Sequence, residues 1–154
     1  MLGIHELSVK TLVKLIRKRE LLVSELLDAF IRRIEIVNPQ INALINTNFN
    51  AARQTALEAD QKLKKSNFLP DPLFGIPFTV KDLYCVPNFI VTIGTKGLAN
   101  TVCHQETTVI TRLTEQGSIL LGLTNTPEMG VSLETDNLVY GRTNHPINQT
   151  YSSG

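Results

Sequence analysis

The sequence predicts an α/β fold in which N-terminal helices precede the start of a mixed sheet flanked by helices. Three observations carry this. Up to about residue 65, apolar residues recur at helical spacing. From Pro70-Asp71-Pro72 onward, short β-rich runs alternate with one amphipathic helix. That helix is followed by Gly117 and the apolar run Ser118-Ile119-Leu120-Leu121-Gly122, and helix, glycine, buried strand is the order of a parallel α/β unit. A chain of 154 residues suits a single domain, 1–154, with a mainly helical part over 1–69 and an α/β core opening over 70–154.

The elements follow in order. Ser8 is placed to cap a helix whose Leu12, Val13, Leu15 and Ile16 share one face. A second helix is expected over Val23 to Val37, with Leu26, Leu27, Phe30, Ile31 and Ile34 as its apolar stripe and Asn38-Pro39 as its stop. Ile41 to Ile45 reads as a short strand. A third helix, about Asn50 to Lys65, ends in Lys62, Lys64 and Lys65, which suits the negative end of a helix dipole. Phe78-Thr79-Val80 and Ile90-Val91-Thr92-Ile93 are strand candidates. Glu106 to Gln116 is amphipathic, with Val109, Ile110 and Leu113 expected inward. Two or three buried strands make a poor sheet, so 70–154 reads as the opening of a larger domain.

Composition narrows the function classes. A formal net charge of +1, with no basic block, gives no basis for phosphate neutralisation and argues against a nucleic-acid module. The apolar runs fall far short of the roughly 18 residues of a membrane span. The N-terminus lacks the order of a signal peptide. Cys85 and Cys103 are too few for a disulfide framework and lack zinc-site spacing. A soluble protein of the cytoplasm, a reducing compartment, is the resulting expectation.

Chemistry-bearing residues are few. His5, His104 and His145 have no ligand spacing, and Gly94-Thr95-Lys96-Gly97 is not a phosphate loop. Lys81-Asp82 stands out because Lys81 follows the apolar run Phe78-Thr79-Val80 and is expected at a strand end. Neighbours that desolvate it there make a lysine a usable base. A snorkelling lysine, or a Lys–Asp ion pair, reads the same residues without chemistry.

The pattern as a whole resembles the amidase signature family. Pro72-Leu73-Phe74-Gly75-Ile76-Pro77-Phe78-Thr79-Val80-Lys81-Asp82 is similar to the entry to that family's catalytic core. Gly94-Thr95, Glu106-Thr107-Thr108-Val109-Ile110, Gly117 to Gly122, Thr124-Asn125-Thr126-Pro127-Glu128-Met129-Gly130 and Gly141 to Asn148 follow in the family's order. Ser24-Glu25-Leu26 and Arg33-Ile34-Glu35 fit its N-terminal helices, so the resemblance covers nearly the whole chain. It implies a serine hydrolase of small-molecule amides, working through a Ser–cis-Ser–Lys triad with no cofactor and no metal. Lys81 is then the triad lysine, acting as general base through the bridging serine. Asp82 is a supporting neighbour, and Thr124, Asn125, Met129 and Gly130 wall the cleft. For Thr124-Asn125 a plain strand-ending turn is the competing reading.

The departures from the family pattern also bear on function. Gly154 matches only the first glycine of the glycine-serine signature, so the bridging and nucleophilic serines lie beyond this sequence. Ser152 and Ser153 fall in register with positions before that signature and are not assigned as nucleophile. Leu123 stands where the family commonly has lysine, and Glu106 where it has aspartate. The 154-residue chain alone is therefore expected to be inactive. Two alternatives remain: the glutamine-hydrolysing subunit of a tRNA-dependent amidotransferase, and a non-catalytic remnant or interaction module. Thr126-Pro127-Glu128-Met129 reads more like the general amidases than that subunit.

Overall fold

A computed structural model describes residues 3–153, so Gly154 lies outside the described residues. In chain order the elements are α1 (Val9–Arg17), α2 (Val23–Ile41), β1 (Leu44–Thr47), α3 (Phe49–Leu63), β2 (Pro77–Lys81), α4 (Thr108–Glu115) and β3 (Ile119–Thr124), with three short 3-10 turns. The strands form one sheet in the order β1-β3-β2. β1 runs antiparallel to β3, pairing Leu44 with Thr124 and Thr47 with Gly122. Bonds from the Gly75 N–H to the Gly117 carbonyl, from Ile119 to Ile76 and from Asp82 to Thr124 advance together along both segments, so β2 lies parallel to β3. The sheet is mixed, as the sequence predicts.

The residues divide into two units. The first takes 3–35, 48–78 and 111–121 of the described residues. Its core is built by Leu12 and Ile16 of α1, Leu26, Leu27 and Ile31 of α2, Ala52, Ala56 and Ala59 of α3, and Ile119 and Leu121 of β3, with Phe74 and Ile76. Ser8 caps α1, its Oγ accepting from the Thr11 N–H at 3.2 Å. At the start of α2, the buried Asp60 carboxylate of α3 accepts the Val23 N–H at 2.7 Å and the Ser24 N–H at 3.3 Å. A carboxylate there satisfies two orphan donors and suits the positive end of the dipole. Asn48 caps α3 through the Ala51 N–H. Gly117, at φ 79°, ends the turn after α4; a Cβ there would lie 2.7 Å from the Phe74 ring.

The second unit takes 36–47, 79–110 and 122–153 of the described residues. Here four expectations are corrected. Asn38-Pro39 does not stop α2, which continues to Ile41 with Pro39 inside its last turn. Proline at that point removes a single N–H. The real stop is Asn42, at φ 55°, with the Asn38 side chain capping the end: its Oδ1 accepts from Ala43 and Leu44, and its Nδ2 donates to the Leu44 carbonyl. The first strand accordingly starts later, at Leu44. Ile90 to Ile93 is not a strand; only an isolated bridge joins Ile90 to Val102. The Thr92 N–H goes to the Asp82 carboxylate, and positive φ at Ile93 and Gly94 turns the chain away. Finally, Val109 is half exposed, leaving Ile110 as the buried residue of α4.

Cys85 and Cys103, which do not amount to a framework, nonetheless join in one disulfide with their Cα atoms 5.6 Å apart.

Candidate active site

All the residues singled out for chemistry belong to the second unit. Lys81 is the last residue of β2 and Asp82 the first beyond it, so the strand's alternation sends their side chains opposite ways. Lys81 is exposed and its carbonyl closes a tight turn, accepting from the N–H groups of Leu83 and Tyr84. The desolvation expected for Lys81 is thus absent, and so is the Lys–Asp ion pair.

Asp82 is fully buried. Its Oδ1 accepts the Thr92 N–H at 3.0 Å and its Oδ2 accepts the Thr92 hydroxyl at 2.6 Å. The Thr92 hydroxyl in turn accepts the Gly94 N–H at 3.0 Å. Burial pushes the Asp82 carboxyl up from its ordinary value, against the opposing pull of its hydrogen bonds from Thr92, Gly94 and Ile93. The nearby Tyr140 phenol is also raised, by burial first and by the Asp82 charge second. A buried carboxylate therefore ties the end of β2 to the 92–94 turn.

The backbone closes the same junction from the other side. Thr124 ends β3, its carbonyl accepting the Asp82 N–H at 2.9 Å. Gly94, at φ 68°, approaches the next segment so closely that a Cβ would sit 3.0 Å from the carbonyl oxygens of Thr126 and Pro127. Met129, at φ 54° and more than half exposed, donates its N–H to the Ile93 carbonyl at 2.8 Å. Gly130 follows at φ 71°, where a Cβ would sit 3.2 Å from the Leu83 side chain. Lys81-Asp82, Thr124, the 92–94 turn and Met129-Gly130 are therefore brought together.

Asn125 is placed differently. It is buried, and every polar atom of its side chain is spent internally: Nδ2 donates to the Gly141 carbonyl and the Thr143 hydroxyl, and Oδ1 accepts from Thr126 and from Asn137 Nδ2. Asn137 Oδ1 accepts from Val139 and Tyr140, and the Thr143 hydroxyl donates to the Asn42 carbonyl. This network fixes the 137–143 segment beside the end of β3, the geometry of a strand-ending turn. Leu123, at the family's lysine position, is fully buried in β3. Sequence reasoning misses Thr92, Asn137 and Thr143. For Thr92 the signal is Gly94-Thr95 and for Thr143 the Gly141 to Asn148 stretch; Asn137, an isolated polar residue in a loop, gives none.

Comparison with known proteins fits this geometry to a family. The Amidase family model matches residues 25–154. The chain is 34% identical to an acylamidase of Rhodococcus erythropolis over 99% of its own length and 32% of that protein's. It is 31% identical to a glutamyl-tRNA(Gln) amidotransferase subunit from Desulfatibacillum aliphaticivorans, over 99% of this chain and 31% of that one. The native peptide amidase structure from Stenotrophomonas maltophilia superposes with a TM-score of 0.85 at 26% identity, over 96% of this chain and 31% of that one. The chain thus spans about a third of the length of the relatives it matches. A family match running from Glu25 onward, on a fold that superposes on solved amidases, establishes that the chain belongs to the amidase family.

Proposed function

We propose that this chain is the lysine-bearing N-terminal part of a single amidase domain that hydrolyses amide bonds. The carrying observation is that the family match extends over residues 25–154 and includes Lys81 at the end of β2. In this reading Lys81 is the general base of a Ser–cis-Ser–Lys triad. Its Nζ takes the proton of the bridging serine, which takes that of the nucleophilic serine as the latter attacks the amide carbonyl. The relay then runs backward, delivering the proton to the leaving amine, and water hydrolyses the acyl-enzyme. Asp82 positions the strand end that presents Lys81, Thr124, Met129 and Gly130 border the cleft, and Asn125, named with them from the sequence, braces the 137–143 segment behind it. Both serines belong to sequence beyond residue 154, and packing of that sequence supplies the desolvation that Lys81 lacks here. The site requires no cofactor, and cytoplasmic residence completes the reading; among the described residues no helix is long and apolar enough to cross a membrane.

The test is the intact mass of the natively expressed protein beside a fluorophosphonate serine probe. A mass well above 17.1 kDa with labelling is expected. Lys81→Ala in that protein then lowers amide hydrolysis by at least about 10³-fold. Full activity in the Lys81→Ala protein, or serine-dependent hydrolysis by residues 1–154 alone, overturns the reading. The likeness to an amidotransferase component keeps glutamine in view as the amide. That version predicts glutamine hydrolysis only with partner subunits present, whereas the general amidase cleaves simple aryl amides unaided.

A further inference from the structure

We propose that Cys85 and Cys103 form a reversible thiol–disulfide site that sets how firmly the loop holding Asp82 is closed. The two sulfurs bound the segment 86–102, which carries Thr92 and Gly94, the donors that converge on the Asp82 carboxylate and the Thr92 hydroxyl. Its base is otherwise held by few backbone bonds: Asn88 N–H to the Cys103 carbonyl at 3.1 Å, Cys103 N–H to Phe89 at 3.0 Å and Val91 N–H to Thr101 at 3.1 Å. Thr107 anchors the other side, its N–H and hydroxyl both donating to the Cys85 carbonyl. A covalent link across so lightly bonded a base removes loop freedom that the hydrogen bonds alone leave in place.

The two sulfurs are placed unequally. Cys103 is buried, at 7% exposure, whereas Cys85 is partly exposed beside the Lys81 turn. Cys85, the less buried of the two, is the one a small-molecule thiol or disulfide reaches, and Cys103 resolves the mixed disulfide. With glutathione disulfide as co-reactant, the Cys85 thiolate attacks one of its sulfurs and releases one glutathione. The Cys103 thiolate then attacks the Cys85 sulfur, forming the intramolecular bond and releasing the second glutathione. Two protein thiols are oxidised by two electrons and one small disulfide is reduced by two. A chain resident in a reducing compartment would run this exchange backward, since disulfides persist there only when transient or sensing.

The consequence for Lys81, four residues before Cys85, rests on the amide-hydrolase reading. The staple itself does not, and it is tested without any substrate. The 154-residue chain is equilibrated in glutathione buffers of varied reduced-to-oxidised ratio, quenched with N-ethylmaleimide and weighed intact, while amide hydrogen exchange is followed residue by residue. We expect a graded passage from no adducts to two adducts as the buffer becomes reducing, reversed on reoxidation. Reduction speeds exchange at the Thr92 and Gly94 amides at least 10-fold and leaves the Leu26 and Ile31 amides of α2 unchanged. The Cys85→Ser, Cys103→Ser double variant reproduces the fast rates in every buffer. Should that variant not fold, the wild-type comparison alone decides. Two adducts in all buffers, a bridge opened only by denaturant, or equal exchange in the two states overturns the proposal.

Discussion

Asp82 shows most plainly how one side chain organises this junction. A carboxylate with no exposure survives because two Thr92 donors meet it and its own N–H extends the ladder to Thr124. Burial outweighs those bonds and raises its folded pKa above 3.8, so the folded state holds the proton more tightly than the unfolded chain. The stability it contributes is full below 3.8 and is lost as pH rises through the raised folded value. Urea unfolding across that range should show this decline in the wild type and a flatter profile in Asp82→Asn. Thr126 presents the opposite case: it is fully buried and its hydroxyl has no partner among the described residues. Thr126→Val, which keeps the shape and removes the orphan group, should raise stability by about 1 kcal/mol in the same assay. Lys81-Asp82 could be picked from sequence because a charged pair after an apolar run is unusual. The exposure of Lys81 could not, since it depends on what lies across from the strand end rather than on its neighbours in sequence.

At the scale of elements, periodicity locates most helices, and the sequence misleads where local polar side chains decide an end. The stop assigned to Asn38-Pro39 fails because proline in a last helical turn forfeits one bond, while Asn38 reaches forward to satisfy three backbone groups of Ala43 and Leu44. Asn38→Ala should therefore cost about 1–3 kcal/mol, read from thermal unfolding, and fray β1 before it affects α1. The strand expected at Ile90–Ile93 fails to form for a related reason. Its β-branched residues fit a pleated surface, but the Thr92 N–H has a better acceptor in Asp82 than any neighbouring strand offers. Neither outcome follows from propensity, because each depends on a partner many positions away or on a side chain bonding its own backbone.

Across the whole molecule, the mixed sheet and helical N-terminal half were legible, since period and helix–glycine–strand order survive any choice of partner. What stayed hidden was the interleaving of the two units, which exchange the chain at positions no composition shift marks. The second unit also leaves Val131, Leu133, Leu138 and Ile147 at least three-quarters exposed. Apolar exposure on that scale promotes association. The 154-residue chain should bind 8-anilinonaphthalene-1-sulfonate and self-associate in sedimentation at tens of micromolar, and Val131→Lys with Leu133→Lys should reduce both while leaving the melting temperature within about 1 °C.

The strand order bears on how the protein is born. Among the described strands β3 is last in sequence yet central in the sheet, with β1 and β2 on its flanks. During synthesis, β1 and β2 emerge from the ribosome with no strand to pair with, and neither can be hydrogen-bonded until residues 119–124 have cleared the exit tunnel. Helices α1 to α3, whose bonds are local, can condense in that interval, while two unpaired strands wait as the nascent chain's exposure to chaperones.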